Sequence, residues 1–342
     1  MSKMLLKIKN LKTYYRITGA TVKAVDGVTL SIKEDEVFGL AGESGCGKST
    51  LIRTIMRLVP QSASVSADEL SYRGQDLLPL SDKMYRDKIL WKAISLVPQS
   101  AMASLNPVYR VGNQIAETIQ THAPLNKQET LDRIETLFKG VGLQPALARN
   151  YPHEFSGGMR QRAMIAMSLA LDPGLIIMDE PTTGLDVLVQ ERILRELKSI
   201  RERSKAAIFL ITHDISVIAE MSDRIGIMYA GRIMEQADAV ELFNEPFHPY
   251  TLGLKNAFPS IRALDRELIS IPGSPPNLAE DIPGCVFVMR CPFAIPDCEK
   301  KRPPDLEIRP NHFVHCIRTD NVEEFRKMAG DKKTWQSSKS AI

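Results

Sequence analysis

VFGLAGESGCGKST, residues 37–50, runs from an apolar strand through a glycine-rich turn into a helix whose apolar positions, Leu51, Ile55 and Leu58, recur until Pro60 stops them. Strand, glycine loop and helix in that order make a phosphate-binding loop. The glycines let successive backbone amides converge on phosphate oxygens, Lys48 reaches the outer phosphates, and the Ser49 hydroxyl can ligate Mg²⁺. Gly42, Glu43, Ser44, Gly45, Cys46, Gly47, Lys48, Ser49 and Thr50 are therefore read as one nucleoside triphosphate site, with Cys46 serving as a small residue and not a redox group.

Downstream, FSGGMRQR (155–162) sets Ser156, Gly157 and Gly158 at the start of a helix, where unpaired amides and absent side chains form a second anion site. LIIMDEP (175–181) ends an apolar strand in two carboxylates. Asp179 is expected to hold Mg²⁺ and Glu180 to polarise the attacking water, since phosphoanhydride hydrolysis depends on a positioned nucleophile. ITHD (211–214) brings His213 to the end of the next apolar strand as a hydrogen-bond donor to the γ-phosphate, at the sheet edge where ligands of such sheets bind. Gln99, following the strand at 94–97, is read as a sensor of Mg²⁺ and the γ-phosphate.

The 342 residues are 44% hydrophobic and 25% charged, enough for one large core and a smaller second one. A net charge of +3 names neither nucleic acid nor a membrane surface as partner. The longest apolar runs, 175–178 and 206–211, fall far short of the roughly 20 residues that span a bilayer. Lysines 3, 7 and 9 interrupt the N-terminus, which lacks a signal peptide's apolar core, so a cytoplasmic address is expected.

Residues 4–40 read as strands separated by turns. The distance from Lys48 to Asp179 exceeds what a simple phosphate-loop sheet needs. Ile115, Ile119, Leu131, Ile134, Leu137 and Phe138 recur at helical intervals there, predicting an inserted helical subdomain at about 100–170. Short apolar strands at 94–97, 175–178 and 208–211 alternate with helical stretches such as 189–200, which is an α/β pattern. Beyond residue 245 prolines break the helical pattern except near Leu252, predicting a separate Pro/Cys-rich extension over 246–325. Residues 326–342, whose last dozen lack apolar periodicity, are expected to form a mobile tail.

Six motifs in order, GESGCGKST, VPQ, FSGGMRQR, LIIMDEP, TTGLD and ITHD, resemble those of the ATP-binding cassette (ABC) ATPases over roughly residues 5–245. The resemblance implies a P-loop nucleotide-binding domain with a mixed sheet core, an antiparallel β subdomain and an inserted helical subdomain, hydrolysing ATP to ADP and phosphate. It further implies that Ser156, Gly157, Gly158 and Met159 face the ATP of an opposite subunit, that Asp186 lies at the dimer seam, and that an aromatic near the start stacks on adenine. Tyr14 and Tyr15 both offer that ring, with Tyr15 preferred. Met159 departs from the family's common glutamine, so one polar contact is lost while the serine and glycine donors remain.

FHPYT (247–251), LNPVYRVGNQI (105–115) and the Pro-rich, Cys-bearing C-terminus resemble the dipeptide and oligopeptide importer ATPases. That likeness implies transmembrane permease subunits, a second ATPase subunit that is a copy or a relative, an extracytoplasmic substrate-binding protein acting through the permease, and a place on the cytoplasmic face of the membrane. Residues 101–108 would then lie near the surface that receives the permease. Oligosaccharide or nickel import is the alternative cargo. A soluble ABC ATPase acting on nucleic acid is the alternative class, disfavoured by the lack of a coiled coil, a tandem cassette or a basic face.

Cys285, Cys291, Cys298 and Cys316 are separated by gaps of five, six and seventeen residues. Such clustering in a cytoplasmic protein favours metal over disulfides. Zinc sites usually contain closer C-x-x-C pairs, whereas Cys291-Pro292 and the wide gaps suit a [4Fe–4S] cluster of structural role, as the family resemblance also suggests. Zinc, and cysteines without a metal, remain the alternatives.

Overall fold

The computed structural model describes residues 3–99, 104–257 and 269–336. The chain divides into two compact units. The first is built from Met1–Lys7, Ser31–Phe38 and Leu70–Thr212, the second from Ile8–Leu30, Gly39–Glu69 and His213–Ile342.

In the first unit, strands β7 (Ile94–Val97), β8 (Leu175–Asp179) and β9 (Ala207–Ile211) run parallel, with Ile94 opposite Leu175 and Ile176 opposite Ile208. Ile176, Ile177, Phe209 and Leu210 are all 0–1% exposed, which explains why these strands read as continuous apolar runs instead of alternating. Helices α2 (Asp82–Lys88), α3 (Val111–His122), α4 (Lys127–Gly140), α5 (Gly157–Ser168) and α6 (Val187–Ser204) belong to this unit. The start of α4 is fixed by a capping box. Asn126 Oδ1 accepts from the Glu129 amide at 3.0 Å, and Glu129 accepts from the Asn126 amide at 2.7 Å. The apolar positions that predict these helices, Ile115, Ile119, Ile134, Leu137 and Phe138, are buried. Leu131 is the exception and is exposed, because it lies off the stripe that packs inward.

In the second unit, β10 (Arg224–Tyr229) and β11 (Arg232–Asp238) form an antiparallel pair, extended by β13 (His312–Val314) and then β12 (Leu306–Arg309). The far side of β10 borders β3 (Val37–Ala41), of which Gly39–Ala41 belong here. Long strands β1 (Met4–Ile17) and β2 (Ala20–Lys33) contribute most of their length, and β4 (Ala63–Ser66) pairs with β1. Helix α1 (Lys48–Ile55) stops before Pro60, contrary to the sequence pattern. Arg57 takes a left-handed backbone (φ 52°), which turns the chain and leaves Leu58 exposed.

Helices α7 (Ile215–Met221), α8 (Ala239–Asn244), α9 (Pro249–Ala257), α10 (Pro296–Lys300), α11 (Val322–Met328) and α12 (Lys332–Gln336) complete this unit. The residues expected to form a separate extension share one core with the preceding strands. Phe287, Phe293, Phe325 and Trp335 join Ile218, Ile225, Ile227 and Met234 in a single buried cluster. Of the tail expected over 326–342, the described part, 326–336, contains helix. Trp335 is 1% exposed and donates through Nε1 to the Ala329 carbonyl at 3.0 Å, so one large side chain anchors a segment with no apolar periodicity. Residues 337–342 lie outside the described residues.

A buried carboxylate organises the FHPYT segment. Glu235 accepts from the amides of Phe247 (2.7 Å) and His248 (3.0 Å) and contacts His312 Nε2 at 2.8 Å. Glu241 stands 3.0 Å from His312 Nδ1. Burial pulls the His312 pKa down, but the bonds to Glu235 and Glu241 outweigh it and the net direction is upward. A raised folded value means that the charged ring contributes its full stability below the unfolded value of about 6.5 and loses it as pH rises through the folded value. The unfolding midpoint should therefore fall across that window. His312→Gln should cost about 3 kcal/mol at low pH and flatten the profile there; a pH profile unchanged by the substitution would assign the effect elsewhere.

Candidate active site

In the second unit β3 delivers the chain at Ala41 to a loop that closes where α1 begins at Lys48. Gly47 has φ 108°, and a Cβ there would lie 2.2 Å from the Ala24 carbonyl oxygen, so only glycine fits. Lys48 Nζ folds into the loop and donates to the carbonyls of Gly42 (2.7 Å) and Glu43 (3.0 Å), with Cys46 Sγ at 3.6 Å. Burial pushes the Cys46 thiol up, which suits a packing residue. Ser44 and Gly45 form the exposed tip, while Ser49 and Thr50 are half-buried at the start of the helix.

Two contacts to this loop were not signalled by any motif. The Glu43 amide donates to the Tyr250 hydroxyl at 3.2 Å, and the Glu43 carboxylate pairs with Arg290 Nη1 at 2.7 Å. Tyr250 lies in the FHPYT segment and Arg290 immediately precedes Cys291, so each sat inside a stretch that the sequence marked for other reasons.

Tyr14 and Tyr15 separate clearly. Tyr14 donates to Asp26 Oδ1 at 2.6 Å, and burial followed by this bond pushes its pKa up to about 12. Asp26 also accepts from Arg232 Nε (3.0 Å) and Nη2 (2.7 Å). Tyr14 is thus committed to a polar network, and Tyr15, half-buried opposite Ala63 of β4, is the ring outside it. His213 is exposed just ahead of Asp214, whose carboxylate caps α7 by accepting from Ser216 at 2.9 Å.

In the first unit β8 ends at Asp179, and Glu180 turns the chain with a left-handed backbone (φ 50°). Such a conformation in a non-glycine residue stores strain and is held here by a 2.7 Å bond from the Glu180 amide to the Ile211 carbonyl. Glu180 Oε2 accepts from Gln99 Nε2 and from Thr183 Oγ1, both at 2.9 Å. Gln99 and Glu180, 81 residues apart, are therefore brought together. Thr183 lies in the TTGLD motif, but its bond to Glu180 carries no sequence signal of its own.

The serine–glycine segment opens α5, with Ser156 Oγ accepting from the Met159 amide at 3.3 Å. A Cβ on Gly158 would stand 2.6 Å from Val189 Cγ1, so close packing against α6 also requires a glycine there. Asp186 caps α6 through the Val189 amide at 2.9 Å, and the next residues, Val187 and Leu188, are 80% and 79% exposed. Of the expected permease-facing stretch, 101–103 lie outside the described residues; Val108 is 70% exposed.

The four clustered cysteines are free thiols lining one cavity together with His248, Phe287 and Phe293. Burial pushes Cys285 up to about 12, Cys316 up to about 11 and Cys291 well up, and neighbouring sulfurs add to each. Among the described residues no group of three or more His, Cys, Asp or Glu is placed to hold a metal ion.

A glycine loop around a lysine, a strand ending in paired carboxylates and a serine–glycine helix start define an ATP-binding cassette. Residues 25–183 match the ABC transporter family, and residues 234–298 match the oligopeptide/dipeptide transporter C-terminal region. The chain is 39% identical over 331 residues to the dipeptide transport ATP-binding protein DppD of Bacillus subtilis, covering 96% of this chain and 98% of that one. It is 40% identical over 322 residues to the oligopeptide transport ATP-binding protein AppF of the same organism, covering 91% and 96%. The dimeric post-hydrolysis structure of the ATP-binding cassette MJ0796 bound to ADP and Pi superposes with a TM-score of 0.59 at 28% identity, covering 68% of this chain and 98% of that one. The chain belongs to the oligopeptide/dipeptide transporter family of ABC ATPases. Among the described residues, no helix is long and apolar enough to cross a membrane.

Proposed function

We propose that this ATPase powers the import of dipeptides or oligopeptides through a separate permease, on the cytoplasmic face of the membrane. The observation that carries the reading is the match along almost the whole chain to peptide-transport ATP-binding subunits, including the C-terminal region particular to them. Binding of ATP closes two cassettes, closure shifts the permease between its two orientations, and hydrolysis reopens the pair. The second cassette is a copy or a relative.

Lys48 and the amides of residues 42–50 hold the phosphates of ATP, and Tyr15 stacks on the adenine. Ser49, Asp179 and Gln99 offer hard oxygen donors of the kind Mg²⁺ takes, Gln99 through its side-chain carbonyl while its amide nitrogen donates to Glu180. Bound Mg²⁺ supplies charge neutralisation on the phosphates. Glu180 draws the proton of a water that attacks the γ-phosphorus; the bond to the β–γ bridging oxygen breaks and ADP leaves. His213 donates to the γ-phosphate. Ser156, Gly157, Gly158 and Met159 serve the ATP of the opposite subunit, and Asp186 sits at the seam.

The four cysteines are proposed to hold a [4Fe–4S] cluster of structural role. A single zinc ion would draw four sulfurs to about 3.8 Å from one another, given its 2.3 Å bonds. What supports the reading is that Cys285, Cys291, Cys298 and Cys316 line one cavity, since a cluster takes one thiolate per iron.

Peptide import is tested by isolating the chain with its permease in mild detergent and adding peptide-loaded binding protein. ATP turnover should rise several-fold with peptide and not with nickel or an oligosaccharide; the reverse preference would replace the cargo.

A further inference from the structure

The phosphate loop carries a negative charge of its own. Glu43 directly follows Gly42, the first loop glycine, so its carboxylate adjoins a site that must receive a polyanion. Its partner is Arg290 of the Cys-rich segment, at 2.7 Å with a side chain only 4% exposed. Arg290 is itself fixed by the carbonyls of Pro272 (2.9 Å) and Ile271 (3.2 Å) and by the Tyr229 hydroxyl (3.3 Å). It lies over the Tyr229 ring at 5.6 Å, and Tyr229, Tyr250 and Phe287 pack with centroids 4.7–5.3 Å apart. The Tyr250 hydroxyl meanwhile receives the Glu43 amide. Lys48 therefore ties the inner side of the loop while Tyr250 and Arg290 hold Glu43, one by its backbone and one by its charge.

We propose that Arg290, braced by Tyr229 and Tyr250, is a positioning residue for ATP: it neutralises Glu43 and holds the phosphate loop in its binding shape. The proposal rests on residues 42–50 being the ATP phosphate site. Without Arg290 an unpaired carboxylate would remain beside the phosphates, and pairs of this kind, when buried, lose most when one partner alone is removed. The prediction is accordingly non-additive.

The test measures Mg-ATP affinity of the full-length protein, with far-UV circular dichroism and unfolding midpoint as controls. Arg290→Gln should weaken ATP binding at least tenfold. Glu43→Gln alone, whose amide oxygen can still accept from Arg290 Nη1, should weaken binding less than Arg290→Gln does, and adding Glu43→Gln to Arg290→Gln should recover most of the loss, because the stranded carboxylate is gone. Arg290→Lys, which keeps the charge but not the forked geometry, should fall between. If Arg290→Gln binds ATP as the native protein does, or if the double variant is as weak as or weaker than Arg290→Gln, the proposal is overturned. If the native protein binds no ATP, the reading of residues 42–50 fails instead.

Discussion

Glu180→Gln should reduce ATP hydrolysis by more than about 100-fold, the range removed with a general base, while ATP remains bound. The substitution is nearly isosteric and retains an oxygen to accept from Gln99 Nε2 and Thr183 Oγ1, and the left-handed backbone at position 180 is no harder for glutamine than for glutamate. Only the ability to take the water's proton is removed. Because reopening depends on hydrolysis, nucleotide-bound dimer should accumulate. Phosphate release, with nucleotide content and mass after gel filtration, reads both effects. Near-native turnover would end the assignment of Glu180 as the catalytic base.

Replacing Cys291 by Ser should have the second large effect, the loss of most bound iron and sulfide from anaerobically purified protein. Cys291 lines the cavity beside Cys285, Cys298 and Cys316, and burial with the adjacent sulfurs holds its thiol well up, so it favours ionising only when a cation compensates it. Native protein should contain iron and acid-labile sulfide in about equal amounts, absorb in the visible and bleach with dithionite. Zinc without sulfide in the native protein would refute the cluster, and a full complement of iron and sulfide in the Cys291→Ser protein would exclude Cys291 as a ligand.

What could be read from sequence was local. The strand–loop–helix that opens at 37, the carboxylate-terminated strand at 175–179 and the helix start at Ser156 are each specified by neighbours a few residues apart, where spacing and residue type carry the physics. Residues that act through distant partners were silent. Arg290 has meaning only against Glu43, Tyr14 only against Asp26, and Thr183 only against Glu180. The same limit explains the tail, since Trp335 finds its place in a core made largely by earlier strands. It also explains α1, where a left-handed Arg57 ends a helix that apolar spacing alone would continue to Pro60.

The brace on the phosphate loop spans 247 residues of sequence between Glu43 and Arg290, and 207 between Glu43 and Tyr250. During synthesis at about 5–20 residues per second, the loop leaves the ribosome roughly 12–50 s before the arginine that neutralises it. A nascent or prematurely stopped chain can thus contain every nucleotide motif and still lack the groups that shape the loop. On the proposed role of Arg290, competence for ATP would arrive only once residue 290 has been made, and fragments that stop before it would compete poorly for nucleotide with chains that contain it.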